Sequence, residues 1–111
     1  RKFVTVALAS LAIGAPASAE LFNMGGGFYM ATAKDGSSIN IKINHVDHEG
    51  DRLMDLRMFD TANSWEFDGG QPAQAWVNCE NNRIAHEDAE WQTIDHRTLN
   101  GHIWEVACRA S

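Results

Sequence analysis

The densest group of chemically active side chains is the run His45-Val46-Asp47-His48-Glu49. Imidazole and carboxylate groups this close in sequence are ligands that zinc and copper accept. The spacing matches no closed metal site, however, because ligands in a strand-to-turn segment must also point the same way. Two interpretations follow: a small metal site built from His45, Asp47 and His48, or a group of solvated turn residues. The second is favoured.

Signatures of hydrolytic enzymes are missing from the sequence, which contains no Gly-x-Ser-x-Gly and no His-Glu-x-x-His motif. Acidic pairs such as Asp47 with Asp51, or Glu87 with Glu90, have the composition of a catalytic carboxylate dyad. In a chain with 15 acidic residues against 9 basic ones, such pairs arise by chance and usually mark a solvated face. We predict that the protein is not an enzyme and that it needs no cofactor.

Aromatic side chains form a second group of candidates, since four tryptophans are many for a chain of 111 residues. The residues predicted to contact a ligand are Trp65, Phe67, Trp76 and Trp104. The first two lie in a segment rich in Asp, Asn and Gly between residues 60 and 72, which is typical of an exposed loop. The other two are offset from the apolar sides of their elements, so they would give a platform for a glycan or a protein. For Trp76 and Trp91, however, the favoured interpretation is that they fill the core between the sheet and the helix.

The N-terminal residues predict export. A short positive region precedes an apolar stretch from Phe3 to Ile13 and the small-x-small sequence Ala17-Ser18-Ala19. A membrane anchor is the weaker interpretation, because spanning a bilayer takes about 20 apolar residues. The predicted divisions are a signal peptide at residues 1–19, a flexible lead-in at 20–27 and a single domain at 28–111. After cleavage the protein would have no membrane span, and it would lie in the periplasm, at the cell surface or outside the cell.

Cys79 and Cys108 are the only cysteines. Export would place them where disulfides persist, so we predict a bridge between them. It would close a loop of about thirty residues, which the chain-entropy model values at roughly 3–4 kcal/mol. A two-cysteine metal site and a redox pair are the alternatives, although a redox pair usually has the spacing Cys-x-x-Cys.

Alternation of apolar and polar residues predicts a series of short antiparallel strands. The predicted strands cover residues 28–33, 38–46, 52–59, 73–79 and 83–87. The clearest is the second, in which Ile39, Ile41 and Ile43 alternate with polar residues, so that one face is buried and the other faces water. Asp35-Gly36 predicts a tight hairpin turn, because both turn positions tolerate positive φ. Hairpins joined this closely predict a β-meander.

A change of period marks the C-terminal segment. Apolar residues at helical spacing predict an amphipathic helix over residues 99–109, with Thr98 or Asp95 as its N-cap. Gly101 lowers helix propensity, so this helix must depend on docking for its stability. The cysteine at position 108 would tie the helix to the sheet. The predicted fold class is α+β: an antiparallel meander of four to five strands with one C-terminal helix docked on a face.

A spaced pattern of common residues extends over nearly the whole predicted domain. Its features along residues 28–108 are Asp35-Gly36, the Gly50 turn, the strand bearing Cys79, the segment Trp91-Gln92-Thr93-Ile94 and the ending Val106-Ala107-Cys108. Together they resemble the surface-adhesin protein E family of small exported bacterial proteins. The sequence departs from that pattern in the short stretch between Cys79 and Trp91 and in Arg97, where a Pro-like residue is usual. The resemblance implies a curved sheet with a helix held to one face by the cysteine pair. It also implies a host-binding or surface-binding role, but it assigns no contact residue.

Charge limits the class of partner. The formal net charge is −6, and removal of a signal peptide would make the chain more acidic still. Nucleic-acid binding needs clustered Lys and Arg, so it is not expected. The predicted function is an exported, non-enzymatic binding or interaction module for a protein or surface ligand, present as a monomer or a weak homo-oligomer. The alternative is a small periplasmic metal-binding or accessory protein that uses His45, Asp47 and His48.

Overall fold

The structure, a computed structural model, describes residues 16–61 and 66–109. Within these residues the chain forms one seven-stranded antiparallel sheet and one helix. The elements are β1 (Ala17–Gly25), β2 (Phe28–Ala33), β3 (Ser38–Val46), β4 (Arg52–Phe59), β5 (Gln71–Asn78), β6 (Arg83–His86), β7 (Gln92–Thr93) and α1 (Leu99–Cys108). Strands that follow one another along the chain are neighbours in the sheet, so the topology is a continuous meander. The predicted fold class is confirmed.

The sheet is wider than the predicted four to five strands, because the structure adds β1 and the two-residue β7. β1 pairs with β2 from Ala17 opposite Ala33 to Gly25 opposite Phe28. These residues therefore form a hairpin where the sequence predicted a flexible lead-in at 20–27. The glycine run supplies its turn, since Gly26 and Gly27 adopt φ values of 65° and 88°. Residues 1–15, most of the predicted signal peptide, lie outside the described residues.

The turn predicted at Asp35-Gly36 joins β2 to β3. Asp35 Oδ1 accepts hydrogen bonds from the hydroxyl of Ser37 at 2.6 Å and from its amide at 2.9 Å. These two bonds stabilise the charged carboxylate, so they lower the pKa of Asp35. The same short side-chain contacts fix the direction in which β3 leaves the turn.

One face of the sheet, the inner face, packs against α1 and forms the core. Its buried members on β2 to β6 are Ala31, Ala33, Ile39, Ile41, Met54, Leu56, Met58, Ala73, Ala75, Val77 and Ile84. α1 contributes Leu99, Ile103, Val106 and Ala107. The apolar side of each predicted strand is thus the side that faces the helix, as the period-two alternation indicated.

The start of α1 differs from the predicted capping. Thr98 has the extended backbone of an N-cap, but its side chain makes no capping bond and its hydroxyl instead donates to the Asp95 carbonyl at 2.7 Å. Asp95 orders the preceding turn, because hydrogen bonds from the side chain and amide of Arg97 lower the pKa of its carboxyl to about 2. Gly101 packs against this turn: a Cβ at that position would lie 2.6 Å from the carbonyl oxygen of His96.

The predicted disulfide is confirmed. Cys79 directly follows β5 and Cys108 is the last residue of α1, with an S–S distance of 2.05 Å and a Cα–Cα distance of 5.7 Å. The bond connects the C-terminal end of the helix to the C-terminal end of β5, an interior strand of the sheet. A disulfide of this kind is typical of proteins outside the reducing cytoplasm.

Candidate functional site

The face of the sheet opposite α1, the outer face, is partly covered by residues 61 and 66–70, which we call the covering segment. Ser38 Oγ donates to the Thr61 carbonyl at 2.8 Å, and Asn40 Nδ2 donates to the Glu66 carbonyl at 2.7 Å. Ser38 and Asn40 are both 0% exposed. The sequence predicted that this side of β3 faces water. It is buried at these positions because the chain folds back across it after β4.

Phe67 holds the covering segment to the sheet. Its ring meets Phe28 edge to face, with 5.7 Å between the ring centroids. The ammonium of Lys42 lies 5.4 Å from the Phe67 centroid and the guanidinium of Arg57 lies 4.8 Å from it, both at cation–π distance. The structure therefore places this predicted ligand-contact residue in contacts within the protein. Trp65, the neighbouring candidate, lies outside the described residues.

Beyond these contacts the outer face carries a row of apolar side chains. Leu53, Trp76 and Ala85 are register partners on β4, β5 and β6, so their side chains lie side by side on one face. Trp76 points outward because its neighbours Ala75 and Val77 are 1% and 0% exposed on the inner face. Leu53 and Trp76 are half-buried. We call Leu53, Trp76 and Ala85 the tryptophan row.

The favoured prediction that Trp76 and Trp91 fill the core between sheet and helix is wrong. Trp76 lies on the outer face, and Trp91 is 41% exposed. Trp91 comes one position before Gln92, which pairs with Ile84 at the start of β7.

A row of polar groups runs next to the tryptophan row. Asp55 is the register partner of Gln74, and its two carboxylate oxygens accept hydrogen bonds from Gln74 Nε2 and Asn44 Nδ2, each at 2.8 Å. The amide of Glu87 donates to the Gln74 carbonyl at 3.1 Å, which brings Glu87 to the same row. A shallow pocket of about 280 Å³ opens here, which we call the carboxylate pocket. It is lined by Asp55, Arg57, Pro72, Ala73, Gln74 and Glu87.

The residues of the predicted metal site do not converge. His45 is exposed at a register shift in β3, and His48 is exposed in the turn that follows. Asp47 Oδ1 accepts hydrogen bonds from the amides of Glu49 at 2.9 Å and Asp51 at 3.0 Å, so it orders the turn. Among the described residues, the potential ligand atoms that come within 4.8 Å of one another belong to Asp47, Glu49 and Asp51. Neither histidine joins that group.

Trp104 lies on the helix side of the molecule. Its ring contacts His96 edge to face at 5.0 Å between centroids, and the guanidinium of Arg109 lies 5.3 Å from the Trp104 centroid. Its indole Nε1 is buried and has no hydrogen-bond partner among the described residues. Since α1 covers the inner face, the sheet separates Trp104 from Trp76. The predicted contact residues Phe67, Trp76 and Trp104 therefore occupy three separate places.

Sequence reasoning missed a polar pair between the sheet and the helix. His86 Nε2 lies 2.9 Å from Asn100 Oδ1, and both side chains sit between β6 and α1. Burial lowers the pKa of His86, and the hydrogen bond to Asn100 opposes that shift only in part. The sequence did contain a signal for this pair in the alternation of β6. Ile84 faces the core, and His86, two residues further on the same strand, must point to the same face.

Comparison with protein-family models, with curated proteins and with solved structures finds no significant match. Within the described residues, none of the helical structure has the length and hydropathy needed to cross a bilayer. The fold and site define a disulfide-linked antiparallel sheet with a docked helix on one face. The other face has a covered part and an open part, and the open part carries the tryptophan row.

Proposed function

We propose that this protein is an exported, non-enzymatic binding module whose interaction surface is the open part of the outer face. The observation that supports this most is the tryptophan row, in which Leu53 and Trp76 stay partly exposed, whereas the protein's own chain covers the same face at Ser38 and Asn40. A partner that covers the row removes apolar surface from water, which contributes about 25 cal/mol per Å² to binding. Large aromatic side chains in such positions often dominate interface energies.

Export is supported by two features of different kinds. The N-terminal pattern is that of a signal peptide with cleavage after Ala19. The bond between Cys79 and Cys108 is the second, since structural disulfides form and persist in oxidising compartments. The resemblance to the surface-adhesin protein E family favours the same location and a surface-binding role. The periplasm, the cell surface and the external medium are all consistent with these features.

A binding role fits the polar groups beside the row better than catalysis does. The ionisable side chains that line the carboxylate pocket are Asp55, Arg57 and Glu87. Asp55 already accepts two amide hydrogen bonds, from Asn44 and Gln74, which hold its carboxylate in one orientation. Fixed polar groups next to an exposed aromatic ring are typical of recognition surfaces.

The test compares wild-type protein with Trp76→Ala on an array of purified matrix proteins and glycans, read by surface plasmon resonance. Truncation of a binding hot spot costs about 2 kcal/mol or more, so the Kd of Trp76→Ala should rise ~30-fold for any bound ligand. Phe22→Ala is the matched control, because Phe22 is also an exposed aromatic residue, at 38%, but lies on edge strand β1. Its Kd should change less than twofold.

Thermal unfolding of both variants is measured to check that the fold is kept. Equal binding of every captured ligand by Trp76→Ala and wild type would contradict the proposal. Trp65→Ala serves as a separate arm for the other predicted contact residue: wild-type capture by that variant removes Trp65 from the interface and leaves the tryptophan row untouched.

A further inference from the structure

We propose that the partner of the tryptophan row is a protein segment that presents a lysine or arginine side chain to the carboxylate pocket. This inference rests on the proposed binding function and names the chemistry of its partner. The aliphatic stem of the incoming side chain lies across Trp76, and its cationic end lies between the carboxylates of Asp55 and Glu87.

The register of the strands places the pocket directly beside the row. Leu53 and Asp55 are two residues apart on β4, and Trp76 and Gln74 are two residues apart on β5. Side chains two positions apart on a strand point to the same face at about 7 Å spacing, so one extended side chain covers both rows. Lysine and arginine combine an apolar stem with a charged end, and they bind where apolar and anionic surfaces adjoin.

Within the described residues, the two carboxylates of the pocket form no ion pair. Lys42 is the register partner of Asp55 on β3, but its ammonium lies over the Phe67 ring, 5.4 Å from the ring centroid. Asp55 accepts hydrogen bonds from neutral amides. Arg57 is the single cation of the lining, and its guanidinium is already engaged by Asp68 at 3.7 Å and by the ring of Phe67. An apolar partner would strip water from two carboxylates without replacing it, whereas a cation supplies the missing charge.

The whole chain favours the same partner. Its formal net charge of −6 attracts cationic segments and repels phosphate and sulfate polymers. Trp76 adds a surface on which lysine and arginine bind through the ring quadrupole, and tryptophan is the strongest of the aromatic residues in this respect. A neutral glycan would also stack on Trp76, but its binding would not depend on the charge of Asp55 or Glu87.

The experiment measures fluorescence anisotropy with three labelled probes: a twelve-residue peptide of alternating lysine and glycine, its glutamate–glycine counterpart, and a neutral chito-oligosaccharide. Only the lysine peptide should bind, and its Kd should rise at least fivefold in Glu87→Gln and in Asp55→Asn. Trp76→Ala should weaken it to a similar extent. Asp60→Asn removes the same charge just after the last residue of β4, outside the pocket, and should change the Kd less than twofold.

Glu87→Gln keeps the test valid if Asp55→Asn disturbs the fold, because the side chain of Glu87 is exposed and only its backbone amide is bonded to the sheet. Binding that depends on Trp76 but is unchanged in both carboxylate variants overturns this inference and leaves the proposed function standing. Binding of the chito-oligosaccharide that depends on Trp76 likewise overturns this inference and leaves the proposed function standing. If Asp60→Asn and Glu87→Gln weaken binding of the lysine peptide equally, the effect comes from the overall charge of the protein. That result overturns the inference that the carboxylate pocket binds the cation.

Discussion

Replacing Gly101 with alanine should destabilise this protein, although the same change stabilises most helices. Gly101 lies in the first turn of α1 and is buried against the turn that precedes the helix. A Cβ at this position would lie 2.6 Å from the His96 carbonyl oxygen and 2.7 Å from the His96 Cα. Both neighbours are backbone atoms, and the hydrogen bonds between Asp95 and Arg97 fix the turn that contains them. The helix must therefore move away from the turn.

The magnitude follows from two opposing effects. Helix propensity favours alanine over glycine by about 0.8–1.0 kcal/mol in a helix interior. Overpacking of a close contact costs typically 1–3 kcal/mol, and a rigid backbone neighbour places this contact at the upper end of that range. The net loss of unfolding free energy is about 2 kcal/mol. For a domain of this size that lowers the Tm by roughly 10 °C.

The assay is thermal and urea unfolding of wild type and Gly101→Ala, followed by circular dichroism. A synthetic peptide of residues 98–109 provides the control, because it lacks both the sheet and the turn that contains His96. In that peptide the same substitution should raise the helix content, which separates propensity from packing. A Gly101→Ala protein that melts at or above the wild-type temperature would refute the close contact with His96.

Two further predictions concern the disulfide between Cys79 and Cys108 and the buried pair His86 and Asn100 between sheet and helix. Cys79→Ser/Cys108→Ser should lower the unfolding free energy by about 3–4 kcal/mol, as the loop-closure estimate for this spacing gives, and an unchanged Tm in unreduced protein would contradict it. Because burial depresses the pKa of His86 below 6.5 in the folded state, the unfolded chain takes up this proton first as the pH falls. Stability is therefore full above about pH 6.5 and declines below it, by up to ~1.4 kcal/mol per pH unit. Tm measurements at pH 7.5 and 5.5 check this, and His86→Gln should show a smaller difference than the exposed control His48→Gln.

The alternation of apolar residues was enough to predict most of the fold. Each side chain of β3 to β5 that the pattern assigned to the core is on the inner face, and the cysteine pair joins sheet to helix as predicted. β1 was missed because its glycine run suggested a flexible segment and its first residues fit a cleavage site. Gly26 and Gly27 instead form the turn between β1 and β2. The pairing of these two strands is visible only in the folded sheet.

The candidate site was predicted only in part. Period two set Trp76 opposite Val77 and Cys79 on its strand, but the favoured prediction still placed this large apolar side chain in the core. The covering of Asn40 depends on a hydrogen bond to the Glu66 carbonyl, 26 positions away, and no local pattern encodes such a contact. The proximity of Asp55 and Glu87 likewise depends on the registers of three strands, which turn lengths and bulges set together.

The order of the elements has a consequence for how this chain acquires its structure. α1 is the last element along the chain, yet it packs against β1 to β4, which come first. The hairpins can form one after another as the polypeptide emerges, because each needs only its immediate neighbour. The apolar inner face of these hairpins stays exposed until α1, the final element of ten residues, docks on it. Biogenesis thus ends with a closing step, in which the C-terminal segment shields the nascent sheet from aggregation and oxidation then locks it in place.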